Sequence, residues 1–350
     1  MSDPVVSVVI PGYNGAAFIG ETLASLGAQT LTDWEAIVVD DRSSDDTRAL
    51  VRGWADPRVR LIENAENRGP VRTRNRGVAE ARGRYIAGLD QDDLCRPERL
   101  AMQVAYLEAH PDVALVGAQA EQLRDGKVSA MQDAPHTTPD LIAWLSRIEN
   151  PIVWSSVMVR GDVARRLDPF TRPDILYAED FDLYHRIQAL GRIARIDRPL
   201  LLYRQHAGGA SKRFTDTMRA SAMRVLAERH AALLGEDEAA ALARLLVLHN
   251  MGGEPVPDRA TLMRLGTGIA TVQAAFLAQE RPDAESSRLI RWETARRWAR
   301  IGRAGLRSGA VGVRDVLAAR PPHLGLGYAG LESLLWCGAI GAVRRLRRAA

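Results

Sequence analysis

From Val6 to Leu89 the chain alternates short β-branched runs with helical patterns, and this alternation limits it to βαβ units built on a largely parallel sheet. The spacing predicts strands at Val6 to Ile10, Glu35 to Asp40, Val59 to Glu63 and Tyr85 to Leu89. Phe18, Ile19, Leu23 and Leu26 fall on one face at helical spacing, and each crossover is long enough for a right-handed return. Further on, Leu100, Val104 and Leu107 form an apolar helical stripe. A strand at Val113 to Gly117, a hairpin turn at Asp125-Gly126, a helix from Leu141 to Ile148, a strand from Ile152 to Val159 and a helix from Glu179 to Leu190 follow.

After Lys212 alanine, leucine and arginine dominate and the β-branched runs stop. The periodicity predicts helices at Met218 to Leu234, Glu238 to Leu248, Leu262 to Leu277 and Ala284 to Leu306, interrupted by Gly252, Gly253, Pro255 and Pro257. We therefore expect an α/β domain over 1–212 and an all-α extension over 213–350. The arginines between Arg291 and Arg300 are read as a solvated helix face.

With 350 residues, 46% of them hydrophobic, the chain can bury a real core. Cys95 and Cys337 lie too far apart in sequence to suggest a metal motif or disulfide framework, which fits a reducing cytoplasm. No segment reaches the roughly 18 consecutive apolar residues of a membrane span. A net charge of +4 gives no nucleic-acid footprint, so none is expected as a partner.

Ligands of open α/β sheets bind beyond the carboxyl ends of the strands. Here those ends carry Pro11, Gly12, Tyr13 and Asn14, then Asp40 and Asp41, then Asn64 to Arg68, then Asp90, Gln91, Asp92 and Asp93. A lone D-x-D is an ordinary solvated loop, but a D-Q-D-D cluster just after a buried strand crowds like charges and calls for a cation. Oxygen donors select a hard ion, Mg²⁺ or Mn²⁺, whose shell a nucleotide diphosphate would complete. The first turn, P-G-Y-N-G, is neither a dinucleotide fingerprint nor a phosphate loop, which argues against nicotinamide enzymes and P-loop ATPases. Tyr13 there would stack on a base, and Asp41 would accept from a base N–H; shaping the turn is the other reading of both.

The runs V-S-V-V-I-P-G-Y-N-G from Val6, V-V-D-D-R-S-S-D-D-T from Val38, N-R-G-P-V-R-T-R-N-R-G-V-A-E-A-R-G from Asn67, L-D-Q-D-D from Leu89 and A-E-D-F-D-L-Y-H-R from Ala178 together resemble the bacterial inverting glycosyltransferases of family 2, with the GT-A fold. The resemblance covers about residues 5 to 212. It implies a Rossmann-like mixed sheet with flanking helices, and a metal-dependent transfer of sugar from a nucleotide diphosphate to an acceptor hydroxyl in surface glycan synthesis. Pro11, Tyr13, Asn14 and Asp41 would hold the nucleoside, with Arg74 as a basic nucleotide contact. Asp90, Asp92 and Asp93, with His206 of the Y-R-Q-H segment, would form the metal site, and Asp180 would be the catalytic base. Arg42 departs from the family, which commonly has glycine there. The competing functions are a sugar-1-phosphate nucleotidyltransferase and a non-catalytic nucleotide-sugar-binding protein.

The expected partners are a nucleotide-sugar donor and a glycan or lipid-linked acceptor, with the helical extension offering an oligomer contact. Leu331, Leu334, Leu335, Trp336, Ile340 and Val343 recur along a final helix ending in Arg344, Arg345, Arg347 and Arg348. One reading docks this helix on the extension; the other lays it on the inner face of an anionic membrane, making the protein cytoplasmic and peripheral.

Overall fold

The computed structural model describes residues 3–131, 134–321, 324 and 331–349, arranged as two compact units. The first comprises Met1–Pro139 and Pro151–Met218, and the second Asp140–Asn150 and Arg219–Ala350.

In the first unit the order is β1 (Val6–Gly12), α1 (Ile19–Gly27), β2 (Trp34–Asp40), α2 (Thr47–Arg52), β3 (Val59–Glu63), α3 (Pro70–Ala79), β4 (Tyr85–Gly88), β5 (Leu94–Cys95), α4 (Arg99–Ala109), β6 (Val113–Arg124) and β7 (Lys127–Ala130). Next come α5 (Pro139–Leu145), which leads into the second unit, then β8 (Met158–Arg160), α6 (Gly161–Arg165), α7 (Glu179–Ile187), β9 (Arg192–Arg204) and α8 (Ala210–Arg213). The strands form one mixed sheet in the order β3-β2-β1-β4-β8-β6-β9-β5, with β7 paired to β6. The β1, β2, β3 and β4 strands run parallel, and β8 is antiparallel to β4 and β6.

Burial explains why these strands read so clearly: β2 is buried along its whole length, as strands covered on both faces must be. Ile19, Leu23 and Leu26 of α1 and Leu100 and Leu107 of α4 are almost wholly buried, each worth roughly 1.5–3 kcal/mol. Phe18 leaves the predicted stripe; it is the residue before α1 and its ring lies 4.5 Å from that of His206. The Asp125-Gly126 turn takes positive φ at both residues, 49° and 74°, as a tight hairpin requires.

The predicted strand from Ile152 to Val159 is a strand only from Met158 onward. Residues Trp154–Ser156 form a 3-10 turn, because Ser156 Oγ donates to the Val153 carbonyl and accepts from Ala118 N, offering the backbone a local alternative to the ladder.

The second unit holds α9 (Thr215–Leu234) from Arg219 onward, α10 (Glu236–Leu245), a π-helical turn at Leu246–Met251, α11 (Arg259–Glu280), α12 (Ala284–Ser308), α13 (Val313–Ala318) and α14 (Leu331–Ala349). Asp258 caps α11 by accepting from Thr261 N at 2.7 Å, so helix resumes just past the glycine and proline break. Trp144 is fully buried here, its ring 5.6 Å from Phe276 and its Nε1 donating to Thr294. Arg297 corrects the solvated-face expectation: it points inward and pairs with Glu149 and Glu293, which compensate its buried charge. Among the described residues no helix is long and apolar enough to cross a membrane.

Candidate active site at the strand ends

The first loops are stitched together before any ligand is considered. Pro11 sits inside β1, in register with Val39. Past it, Tyr13 is 48% exposed, and Gln91 clamps its backbone by accepting from Tyr13 N and donating to Tyr13 O, both at 2.9 Å. Gly15 is required beneath that clamp, since a Cβ there would stand 2.1 Å from Gln91 Oε1. Asn14 takes φ 48°, donates from its backbone to Ser43 Oγ and accepts from Ser44 N.

Asp41 is buried, and its carboxylate organises the turn before α3. Its Oδ1 accepts from Asn64 Nδ2 and Arg68 N, and its Oδ2 from Gly69 N, all within 2.7–2.8 Å. About one acceptor position, on Oδ2, is left for a ligand. The adjacent Arg42 adopts φ 67°, the left-handed region that glycine enters without strain.

The second cluster centres on Arg74. Its guanidinium pairs with Glu179 through Nη1, lies 3.8 Å from Asp90 Oδ1 through Nη2, and stacks 4.3 Å above the Trp154 ring. Asp180, beside Glu179 in the first turn of α7, accepts from Phe181 N at 2.8 Å and lies within electrostatic reach of Arg74. The Asp90 backbone N–H donates to Ser155 Oγ at 3.0 Å. Burial pushes the Asp90 carboxyl up to about 6; Arg74 opposes that rise and Asp92 adds to it.

Asp92 and His206 form the third group, with Oδ2 and Nε2 2.8 Å apart. The end of β9 brings them together: Arg204 donates from its backbone to Asp93 Oδ1 and from Nε to the Asp92 carbonyl, both at 2.8 Å, while its Nη2 reaches Glu21. Asp93 is fully buried, and its Oδ2 meets no hydrogen-bond partner. Burial first, then repulsion from Asp92 and Asp90, holds it well above the usual carboxylate range.

These residues fit a divalent ion. Cis donors about 2.1 Å from an octahedral ion lie about 3 Å apart, close to the separation of Asp92 Oδ2 and His206 Nε2. The partnerless Asp93 oxygen adds unmet acceptor capacity nearby. Among the described residues no three His, Cys, Asp or Glu side chains gather as a ligand set, so an ion there would take most of its shell from water or substrate oxygens.

Arg74 and Asp90 thus meet in one place, with Asp180 next in sequence to their neighbour Glu179, and Asp92 and His206 meet in another; the repulsion between Asp90 and Asp92 joins the two. Tyr13 is tied to the same motif through Gln91, whereas Asp41 serves the loop before α3. Gln91, Glu179 and Arg204 are working residues that the sequence motifs do not single out. Gln91 had a local signal, being the one uncharged position of D-Q-D-D, but the partners of Glu179 and Arg204 lie more than a hundred residues away.

A mixed sheet with flanking helices, followed by a helical region and carrying its acidic cluster at the strand ends, is the GT-A architecture. It is shared with the mannosyltransferase PcManGT from Pyrobaculum calidifontis, solved with GDP-Man and Mn²⁺, at TM-score 0.52 and 21% identity over 91% of this chain and 86% of that one. The family model for glycosyl transferase family 2 matches residues 7–152. The amylovoran biosynthesis glycosyltransferase AmsE of Erwinia amylovora is 30% identical over 213 residues, 59% of this chain and 79% of that protein. WfgD of Escherichia coli, named as transferring glucose from UDP-Glc to GlcNAc-diphosphoundecaprenol, is 38% identical over 107 residues, 31% of this chain and 42% of that protein. The chain belongs to glycosyl transferase family 2 and is a glycosyltransferase.

Proposed function

We propose that this glycosyltransferase is metal-dependent and inverting, and moves one sugar from a nucleoside diphosphate to an acceptor hydroxyl in the assembly of a bacterial surface polysaccharide. The pairing of Asp92 with His206 at 2.8 Å, beside Asp90 and the partnerless oxygen of Asp93, carries the reading. Asp92 and His206 would hold Mg²⁺ or Mn²⁺, with Asp90 and the partnerless oxygen of Asp93 beside them. The ion, when bound, neutralises charge that develops on the departing diphosphate. The names of AmsE and WfgD support a surface-glycan role, and WfgD supports a lipid-linked acceptor.

Tyr13, 48% exposed and fixed at its backbone, offers a ring face to the base, with Pro11 and Asn14 shaping the floor and the spare acceptor of Asp41 facing a base or ribose donor. Arg74 places positive charge beside Asp90, where a diphosphate would lie. Asp180 takes the proton of the acceptor hydroxyl as its oxygen bonds to the anomeric carbon. The carbon–phosphate oxygen bond breaks, and its electron pair leaves with the nucleoside diphosphate. Attack opposite the leaving group inverts the anomeric centre.

Incubation with nucleotide sugars, acceptor and Mn²⁺ should release nucleoside diphosphate, and NMR of the product should give the opposite anomeric configuration to the donor. Release of pyrophosphate would point instead to a nucleotidyltransferase, and retention would remove Asp180 as the base of a single displacement.

A further inference from the structure

The three most exposed large apolar side chains among the described residues all lie on α14: Trp336 at 68%, Leu335 at 58% and Val343 at 51%. Trp336, Val343 and Arg347 are seven and four residues apart, so they stand in line on one helix face, with Ala339 beside them and also exposed. The opposite face carries the buried Leu334, Cys337 and Gly341. Gly341 sits so close to α12 that a Cβ would stand 1.9 Å from the Leu306 carbonyl oxygen. A surface helix ordinarily turns its large apolar residues inward. Here small residues seat the helix, and the tryptophan faces out.

The charge is just as one-sided. Glu332 is the single acid from Leu331 onward, against four arginines, Arg344, Arg345, Arg347 and Arg348. Arg344 and Arg347 are exposed, and Arg344 Nη1 donates to the Arg307 carbonyl at 3.0 Å, which ties this end of α14 to α12.

We propose that the outer face of α14 docks on the surface of an anionic phospholipid bilayer, with Trp336, Leu335 and Val343 entering the headgroup boundary and Arg344 and Arg347 meeting lipid phosphates. An outward tryptophan with an aliphatic stripe and a basic end is the amphiphile that lies in the plane of a bilayer. A second copy of the chain is a poorer occupant, because it would bring another helix of the same positive sign. This docking requires no donor and stands apart from the transfer reaction.

The full-length protein should co-sediment with vesicles of phosphatidylcholine and phosphatidylglycerol and far less with phosphatidylcholine alone, and added salt should release it. Trp336→Gln should weaken that binding about tenfold, and Arg347→Gln by about fivefold. Both side chains are exposed, and an unchanged melting temperature verifies that each variant folds. Failure to sediment with either vesicle type overturns the proposal. So does equal, salt-insensitive binding to both, or a Trp336→Gln variant that binds as well as the parent. A vesicle-independent dimer dispersed by Trp336→Gln, without vesicle binding by the parent, would assign the face to a second copy instead.

Discussion

Arg74 and Glu179 are ion-paired across 105 residues of sequence, tying α3 to the first turn of α7 directly beside Asp180. Both side chains are only 6% exposed, and Asp90 Oδ1 lies 3.8 Å from the same guanidinium. Removing one member of a buried pair leaves the other uncompensated, so Glu179→Ala should cost about 3 kcal/mol and lower the melting temperature. It should also reduce kcat at least about tenfold, because the base turn loses its anchor. An unchanged melting temperature and kcat would show that the pair holds nothing in place. Arg74→Lys should not restore the parent values, since a single ammonium cannot reproduce the planar stack on Trp154.

The Asp92–His206 pair can be tested through binding, without turnover. Calorimetric titration of nucleoside diphosphate into the protein with Mn²⁺ should give at least about tenfold weaker affinity for Asp92→Asn and for His206→Ala. With EDTA all three proteins should bind alike and weakly. Variants that keep the parent's Mn²⁺-dependent affinity would place the ion elsewhere.

For Asp180→Asn the expectation is a loss of about 10³ in kcat with donor affinity retained, the signature of removing a base and little else. Collapse of donor affinity with kcat preserved would make Asp180 a binding residue. The amide can still accept from Phe181 N, so the first turn of α7 should survive the change.

Arg42 offers a gain in stability. At φ 67° an arginine pays for a Cβ that crowds its own backbone, and glycine does not. Arg42→Gly should therefore stabilise the protein by about 1 kcal/mol, raising the melting temperature by about 2–4 °C. A lower melting temperature would mean that the arginine side chain contributes more than the strain costs.

The sequence also explains which of these features can be read without a structure. Strand positions and the acidic cluster are local signals: β2 is buried throughout and carries the apolar run from Ala36 to Val39, and D-Q-D-D follows its strand directly. The 3-10 turn at Trp154–Ser156 lies in a run that reads as strand, and it forms through the bond of Ser156 Oγ to the Val153 carbonyl, while Ser155 and Trp154 reach Asp90 and Arg74 far along the chain. Arg297 looked solvated because its partner Glu149 lies 148 residues away, beyond any periodicity. For Asp41 the sequence offers two roles, accepting from a base and shaping its turn; the hydrogen bonds to Asn64, Arg68 and Gly69 supply the second, through partners 23 to 28 residues away, and leave an acceptor position on Oδ2 for the first.

The acid stability of the second unit should depend on His230. This side chain is 1% exposed, and its Nε2 donates to the Arg147 carbonyl at 2.8 Å. Burial, reinforced by the charges of Arg147 and Arg229, holds its pKa down to about 4 against an ordinary 6.5; the bond to Arg147 opposes this only in part. The folded state therefore keeps His230 neutral where the unfolded chain would protonate it. Its contribution is fully present above about pH 6.5 and is lost as pH falls towards 4, amounting to about 3 kcal/mol across that window. His230→Gln can still donate to the Arg147 carbonyl but cannot titrate, so its stability should fall less between pH 7 and pH 4 than that of the parent. Glu280, 3.5 Å from Arg147, is common to both proteins, so the difference between their denaturation curves isolates the histidine. Parallel pH profiles for the two proteins would mean that His230 binds its proton as readily folded as unfolded.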